Sequence, residues 1–322
     1  MQSVMITGGT GSFGHAMVKR LQDKSKGYPP DRIVIYSRDE QKQDRMAYEF
    51  PQTNMRFFIG DIRDESRLTM AMRGIETVFH AAALKIVPIA EYNPFEVVQT
   101  NIHGAENVVR AAIASQVGEV IALSTDKAVN PINLYGATKL AAEKIFIAAN
   151  NLSAGRPMFS VVRYGNVVGS RGSVLPFFLG LARDNKTLTI TDQRMTRFWI
   201  EMKDVIDFTS DAHTRMMGRE IFIPRIPSIR IIDLAKAISE SIKFVGIRPG
   251  EKISEVLLTE DESRSGAWDY GHGIVIAQKK PEYALNAIHE DFRYSSDGND
   301  QWLTREDLQE WLKSNGHLFL PH

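Results

Sequence analysis

The chain predicts an α/β fold, a doubly wound parallel sheet followed by a smaller mixed α/β lobe. Three observations carry that expectation. Short apolar runs alternate with amphipathic stretches, a glycine-rich turn follows the first run, and the texture changes after Asn166. The runs fall at 4–7, 32–37, 55–60, 77–82, 120–124 and 159–164. Each is continuously apolar and of strand length, as strands covered on both faces must be. Between them the clearest helical pattern spans about 95–115, where Val98, Ile102, Ala105, Val109 and Ala112 recur at threes and fours. Beyond Asn166, glycine, proline and charge rise and the segments shorten. The expected division is a dinucleotide-binding domain over 1–165 and a mainly substrate-binding lobe over 166–322, with some later segments packing back on the sheet. Residues 263–290 and the tail from Ser314 carry the least pattern.

Composition narrows the function. With 322 residues, the chain can bury a core without staples as one large or two coupled domains. Fractions of 43% apolar and 24% charged residues exclude wholesale disorder. Zero cysteines exclude disulfides, thiolate zinc, iron–sulfur clusters and a cysteine nucleophile. Basic and acidic residues balance at 39 each, which argues against nucleic acid as the main partner. No apolar run approaches the ~18 residues of a membrane span, and no charged-then-apolar leader opens the chain. A soluble, cytoplasmic protein is expected, with no nucleic-acid or membrane partner. The eight histidines show no metal-ligand spacing, so no metal is expected.

Thr7-Gly8-Gly9-Thr10-Gly11-Ser12-Phe13-Gly14 follows the first run and opens a helix. Gly9, Gly11 and Gly14 satisfy G-x-G-x-x-G, and Gly8, Gly11 and Gly14 give the variant with one residue more. Such glycines allow a tight turn and close approach of a pyrophosphate to the positive end of a helix. Without a Lys-Ser or Lys-Thr pair, it is not an ATPase P-loop. The second strand ends in Tyr36-Ser37-Arg38, with Asp39 and Lys42 close behind. An acidic strand end would favour NAD, whereas Ser37 and Arg38 match a 2′-phosphate, so NADP is the expected cofactor. Asp39 has the alternative of capping the next helix. Asp61 is placed either to receive the adenine amino group or to cap a helix.

The fifth run ends in Ser124-Thr125-Asp126-Lys127, and Tyr135 and Lys139 follow four apart, on one face of a helix. A lysine ammonium and a cationic nicotinamide favour the phenolate of a nearby tyrosine. In isolation this spacing more often means a packing tyrosine and a solvated lysine. After a dinucleotide turn and a Ser-Thr strand end it reads as a hydride-transfer site. Asp126 and Lys127 are either an exposed ion pair of little worth or an acid–base pair that an ordinary alcohol dehydrogenase does not need.

Together these motifs resemble the extended short-chain dehydrogenase/reductase superfamily. Within it, the sequence is similar to the inverting UDP-N-acetylglucosamine 4,6-dehydratase family of pseudaminic acid biosynthesis. The likeness is carried by His80-Ala81-Ala82-Ala83-Leu84-Lys85, Ala90-Glu91-Tyr92-Asn93-Pro94, the stretch from Ser124 to Tyr135, that from Arg163 to Ser173, Met195-Thr196-Arg197-Phe198-Trp199-Ile200, Gly246-Ile247-Arg248-Pro249-Gly250-Glu251-Lys252 and Tyr294-Ser295-Ser296. It runs nearly end to end, with 263–290 weak and Ile86 standing where a histidine is expected.

The resemblance implies C-4 oxidation, loss of water across C-5 and C-6, and C-6 reduction by the same NADP, which stays bound. Tyr135 would take the C-4 hydroxyl proton and Thr125 bond the same oxygen. Lys127 would be the C-5 base and Asp126 the C-6 proton donor, while Lys139 serves Tyr135 and the cofactor ribose. The cofactor set extends to Ile62, Ala81, Ala82, Ala83 and Lys85. Lys85, Asn166, Arg171, Val174, Thr189, Met195, Arg197, Arg248 and Glu251 would meet the UDP-sugar, with Arg197 and Arg248 on the diphosphate. Family members form homo-oligomers, from dimers to hexamers. Two competitors stand beside this reading, a UDP-sugar epimerase or dehydratase/epimerase and a non-catalytic NADP-sensing regulator. Tyr135 weighs against the dehydratase/epimerase, in which the resemblance implies a methionine at that place, Asp126-Lys127 weighs against a simple epimerase, and Tyr135 with Lys139 weighs against the regulator.

Overall fold

The computed structural model describes residues 1–27, 29–170 and 173–316. Strands β1 (Ser3–Thr7), β2 (Arg32–Ser37), β3 (Met55–Ile59), β4 (Thr77–His80), β5 (Glu119–Thr125), β6 (Met158–Tyr164) and β7 (Ile221–Pro224) are mutually parallel. They run in the order β3-β2-β1-β4-β5-β6-β7. Beyond β7 the antiparallel strands β8 (Ala267–Asp269), β9 (Gly273–Ile276) and β10 (Asn286–Ala287) complete a ten-stranded sheet, in the order β7-β9-β8-β10.

Burial explains the unbroken apolar runs. Val4, Met5 and Ile6 of β1 and Ile33, Val34 and Ile35 of β2 are fully buried, because helices cover both faces. Helix α1 (Ser12–Gln22) packs with α6 (Met202–Arg215). Helices α3 (Glu65–Met72), α4 (Gly104–Ala114) and α5 (Leu134–Ala149) pack in sequence against one another. Side-chain caps start helices around the sheet: Asp39 for α2 (Glu40–Glu49), Asp64 for α3 and Asn133 for α5. Asp61 therefore is not the α3 cap.

The pattern expected over 95–115 is a helix with an interruption. Pro94–Val98 is α-helical, Gln99–His103 makes a π turn, and α4 continues from Gly104. A π turn inserts one residue into the helical register and re-aims the side chains on it. A second, smaller core is built from Leu175, Phe178, Trp199, Ile229, Leu234 and Leu308, outside the sheet. The chain enters this lobe after β6, returns through α6 and β7, leaves again, and returns through β8 to β10. The order of strands reverses between β1 and β4, and the crevice outside their carboxyl ends is where a doubly wound sheet binds its ligand.

Candidate active site

The glycine turn forms the floor of that crevice. Gly8 has φ +66°, and a Cβ there would come 2.8 Å from the Cα of Ala82, so the turn needs glycine both for its backbone and for its contact with the β4 exit. A Cβ on Gly14 would overlap the carbonyl of Gly9, which seats α1 directly on the turn. Gly11 is the N-cap of α1 and provides no capping side chain, leaving the first-turn N–H groups for an anion.

A cleft of about 640 Å³ runs from this turn across the carboxyl ends of the strands. Every residue expected to hold the dinucleotide lines it except Gly14, whose part is the packing just described. At the ribose end, Ser37 and Arg38 face the cleft, and Arg38 is half-exposed. Lys42 also lines the cleft but pairs with Asp39 at 2.7 Å, and Asp39 caps α2 as its alternative role required. Asp61 lies on the wall as well, and its carboxylate accepts from Arg63 at 2.9 and 2.7 Å. Burial works to raise the Asp61 pKa, but the Arg63 hydrogen bonds outweigh it and hold the group below the ordinary carboxylate range.

At the other end, β5 delivers Thr125 and a tight turn over Asp126–Ala128, while α5 brings up Tyr135 and Lys139. Thr125, Lys127, Tyr135 and Lys139 all line the cleft. Asp126 does not. The turn folds its carboxyl inward, where it is fully buried, accepting from Thr125 Oγ1 at 2.9 Å and from Lys127 Nζ at 3.0 Å. Of the expected acid–base pair, the lysine is on the wall and the acid is one layer behind it. Burial raises the pKa of Asp126, Lys127 opposes the rise, and the carboxylate of Glu255 adds to it. Burial would lower Lys127, but Asp126 and Glu255 outweigh it and hold the ammonium well above its usual range.

Tyr135 differs from expectation in its partner. Burial pushes its phenol up to about 12, and the cation that pulls it back is Lys127, aided by the Thr125 hydroxyl. Lys139 donates to the carbonyl of Leu123 at 2.7 Å, so its ammonium is spent on the end of β5 rather than on the phenol. Burial lowers Lys139 to about 8, with Glu143 opposing.

Asn101 was not singled out by sequence reasoning, yet it braces the loop that carries Ala83 and Lys85 to the cleft. The π turn aims it at the loop after β4, where Oδ1 accepts from the Leu84 N–H and Nδ2 donates to the Leu84 carbonyl, both at 2.9 Å. Nδ2 also donates to Thr138 Oγ1 on α5 at 3.0 Å, tying that loop to the helix of Tyr135. A register insertion leaves no trace in residue spacing. Glu255 was missed too. It is buried 3.5 Å from Lys127, and no local motif marks it.

On the substrate side the expected residues divide. Lys85 and Asn166 line the cleft, but Val174, Thr189, Met195, Arg197, Arg248 and Glu251 do not. Arg197 donates to the carbonyls of Thr196, Ile253 and Lys252 and so fastens the 252–253 loop to its own strand. Arg248 and Glu251 close a turn on each other, the Glu251 N–H donating to the Arg248 carbonyl at 3.1 Å. Met195 is buried in the smaller core and accepts from Thr191 through sulfur. Val174 packs on the same core from the first turn of its helix, and Thr189 pairs with Lys243 in a two-stranded sheet. Arg171 lies outside the described residues. Arg163 is structural, buried between Glu143 and Glu262 at 2.7 and 2.8 Å. Among the described residues, no cluster of three or more His, Asp or Glu could hold a metal, and no helix is long and apolar enough to cross a membrane.

A doubly wound sheet of this strand order, a glycine turn at its switch point and a Thr-Tyr-Lys constellation on β5 and α5 define an extended short-chain dehydrogenase/reductase. Comparison with known proteins then narrows the class. A family model described as "Polysaccharide biosynthesis protein" matches residues 4–276, and the chain belongs to that family. A Campylobacter jejuni (serotype O:23/36, strain 81-176) protein named UDP-N-acetylglucosamine 4,6-dehydratase (inverting) is 49% identical over 95% of this chain and 96% of its own length. A Rickettsia akari protein named UDP-glucose 4-epimerase is 44% identical over 81% of this chain and 79% of its own. The X-ray structure of Pen from Bacillus thuringiensis is similar with a TM-score of 0.89, at 38% identity and 98% coverage of both chains.

Proposed function

We propose that the protein is a configuration-inverting UDP-N-acetylglucosamine 4,6-dehydratase, a hydro-lyase. Its product is UDP-2-acetamido-2,6-dideoxy-β-L-arabino-hex-4-ulose, the first intermediate of pseudaminic acid biosynthesis. The observation that carries this reading is an acid–base pair, Asp126 and Lys127, hydrogen-bonded at 3.0 Å directly beside the Thr125–Tyr135 oxidation site. Oxidation alone has no use for such a pair. Elimination of water needs both of its members.

NADP is the cofactor in this reading, held by the glycine turn, by Ser37 and Arg38 at the 2′-phosphate, and by Lys139 at the nicotinamide ribose. Bound there, it supplies the hydride acceptor for C-4 and the donor for C-6. Tyr135 takes the C-4 hydroxyl proton, and Thr125 bonds the same oxygen. The ketone acidifies C-5. Proton transfer from the Lys127 ammonium to Asp126 leaves an amine on the wall and a neutral acid behind it. Lys127 then takes the C-5 proton, and the Asp126 proton reaches the C-6 hydroxyl through Thr125, so that water leaves as the C-5–C-6 double bond forms. C-6 would then receive hydride and C-5 a proton from solvent on the opposite face, which saturates the double bond and inverts C-5.

The second reading, a 4-epimerase, is favoured by the name of the Rickettsia relative. One experiment separates the two: incubation with UDP-N-acetylglucosamine in deuterated water, without added cofactor, followed by NMR and mass spectrometry. Loss of one water, with deuterium at an inverted C-5, is expected. An epimer without water loss would sink the dehydratase reading in favour of the epimerase. Strongly exposed Tyr92 and Phe95 on adjoining short helices support a homo-oligomer, and the soluble nucleotide-sugar substrate supports a cytoplasmic location.

A further inference from the structure

Glu255 enters the acid–base site from behind. It lies just before the strand Val256–Leu258 and is 3% exposed, with Lys127 Nζ at 3.5 Å, Lys252 Nζ at 3.6 Å and Arg197 Nε at 3.9 Å. Two of these cations are already engaged elsewhere. Arg197 serves three backbone carbonyls, and Lys252 donates to the Val129 carbonyl at 2.6 Å. Lys127, the third, also lines the cleft. The backbone at Glu255 is pinned by Ser296, whose Oγ accepts from the Glu255 N–H at 2.9 Å and whose N–H donates to the Glu255 carbonyl at 2.8 Å. Ser296 is in turn held by Thr196 at 2.8 Å.

Two buried carboxylates thus share one ammonium, Asp126 from the β5 turn and Glu255 from the smaller lobe's side. Each has an oxygen without a hydrogen-bond partner, Asp126 Oδ2 and Glu255 Oε2. Like charges in one site cannot both ionise freely, and the proton goes to the carboxylate with less cationic support. Asp126 has Lys127 alone within salt-bridge distance, whereas Glu255 has three cations.

We propose that Glu255 is a positioning residue of the dehydration step: its carboxylate holds Lys127 from behind and keeps a proton on the Asp126–Lys127 pair. The pair titrates as a unit. Burial and Glu255 raise Asp126, while Glu255 itself is held below its ordinary range, burial being outweighed by Lys127, Arg197 and Lys252. The groups facing the pair are Glu255, Arg197, Lys252 and the Tyr135 phenol, and Glu255 is the one anion among them.

The inference rests on the dehydratase reading. Its test is the pH profile of water loss in the unaltered protein, in Glu255→Gln and in Glu255→Asp, with thermal melting as a fold control. The expected result for Glu255→Gln is a fall on the order of 10²-fold in the dehydration rate, with both limbs of the bell moved to lower pH because the nearby negative charge is gone. Glu255→Asp keeps the charge farther away and moves both limbs less, which decides the matter if Glu255→Gln does not fold. Limbs that stay in place, whatever the rate, overturn the inference and leave Glu255 a structural tie. An unaltered protein that releases no water overturns the dehydratase reading and this inference together. Water loss with unmoved limbs overturns only the inference.

Discussion

The two ends of the cleft are built in different ways. Around the glycine turn, Gly8, Thr10, Gly11, Ser12 and Phe13 all reach the cleft. In the smaller lobe, Arg197 turns to backbone carbonyls, while Arg248 and Glu251 meet through a backbone turn that leaves Arg248 exposed. The difference lies in what makes each contact. A dinucleotide turn binds through backbone N–H groups and glycine conformation, which five or six consecutive residues determine. An arginine binds through a long side chain whose target is chosen by whichever carbonyl the tertiary fold brings near.

Gly8→Ala presses hardest on the local end. At φ +66° alanine costs about 1–3 kcal/mol in strain, and the Ala82 backbone must also move. Dinucleotide binding weaker by roughly 100-fold is expected, read as the dinucleotide released on denaturing the purified protein. Normal cofactor content would show that the turn is not the phosphate site, and the contrast between the two ends would go with it.

Lys139 stands inside the local end, where burial is a cost kept for function. A free lysine holds its proton to about 10.5, and the folded one only to about 8. Between those values unfolding takes up a proton, so the stability of the cofactor-free protein rises with pH across that window. Below about pH 8 the full penalty applies, about 3 kcal/mol by the size of the shift. Lys139→Met is therefore expected to be inactive yet more stable than the parent at pH 7, with the advantage fading towards pH 10. Urea titrations at both pH values check it, and a variant less stable at pH 7 would assign Lys139 a net structural role through its bond to Leu123.

How far the sequence was readable follows the same division. Strands β1 to β6 were placed to within a residue or two, because burial on both faces writes itself as continuous apolar runs, whereas β7 was not among the runs read. The segment 263–290 was opaque, although it supplies β8, β9 and β10. Those strands are two to four residues long and owe their place to pairing at the sheet edge. Asn101 was hidden by a register insertion. The partners of Glu255 stand at 127, 197 and 252, so only the folded chain brings its carboxylate to the catalytic lysine.

The smallest expected effect tests the lobe itself. If Arg197 ties down the 252–253 loop, Arg197→Ala removes buried hydrogen bonds from a charged donor and costs roughly 1–3 kcal/mol. At this chain length that is a melting temperature lower by several degrees, with the KM for the UDP-sugar changed less than the melting point implies. Arg248 is exposed, and Arg248→Ala is expected to leave the melting temperature within about a degree. The two arginines looked alike as candidates for a diphosphate, and their variants should part: one loses stability and the other loses little. A KM raised tenfold or more in both, with unchanged melting, would mean that the loops carrying them close over the substrate and that the inward contacts belong to the unliganded state alone.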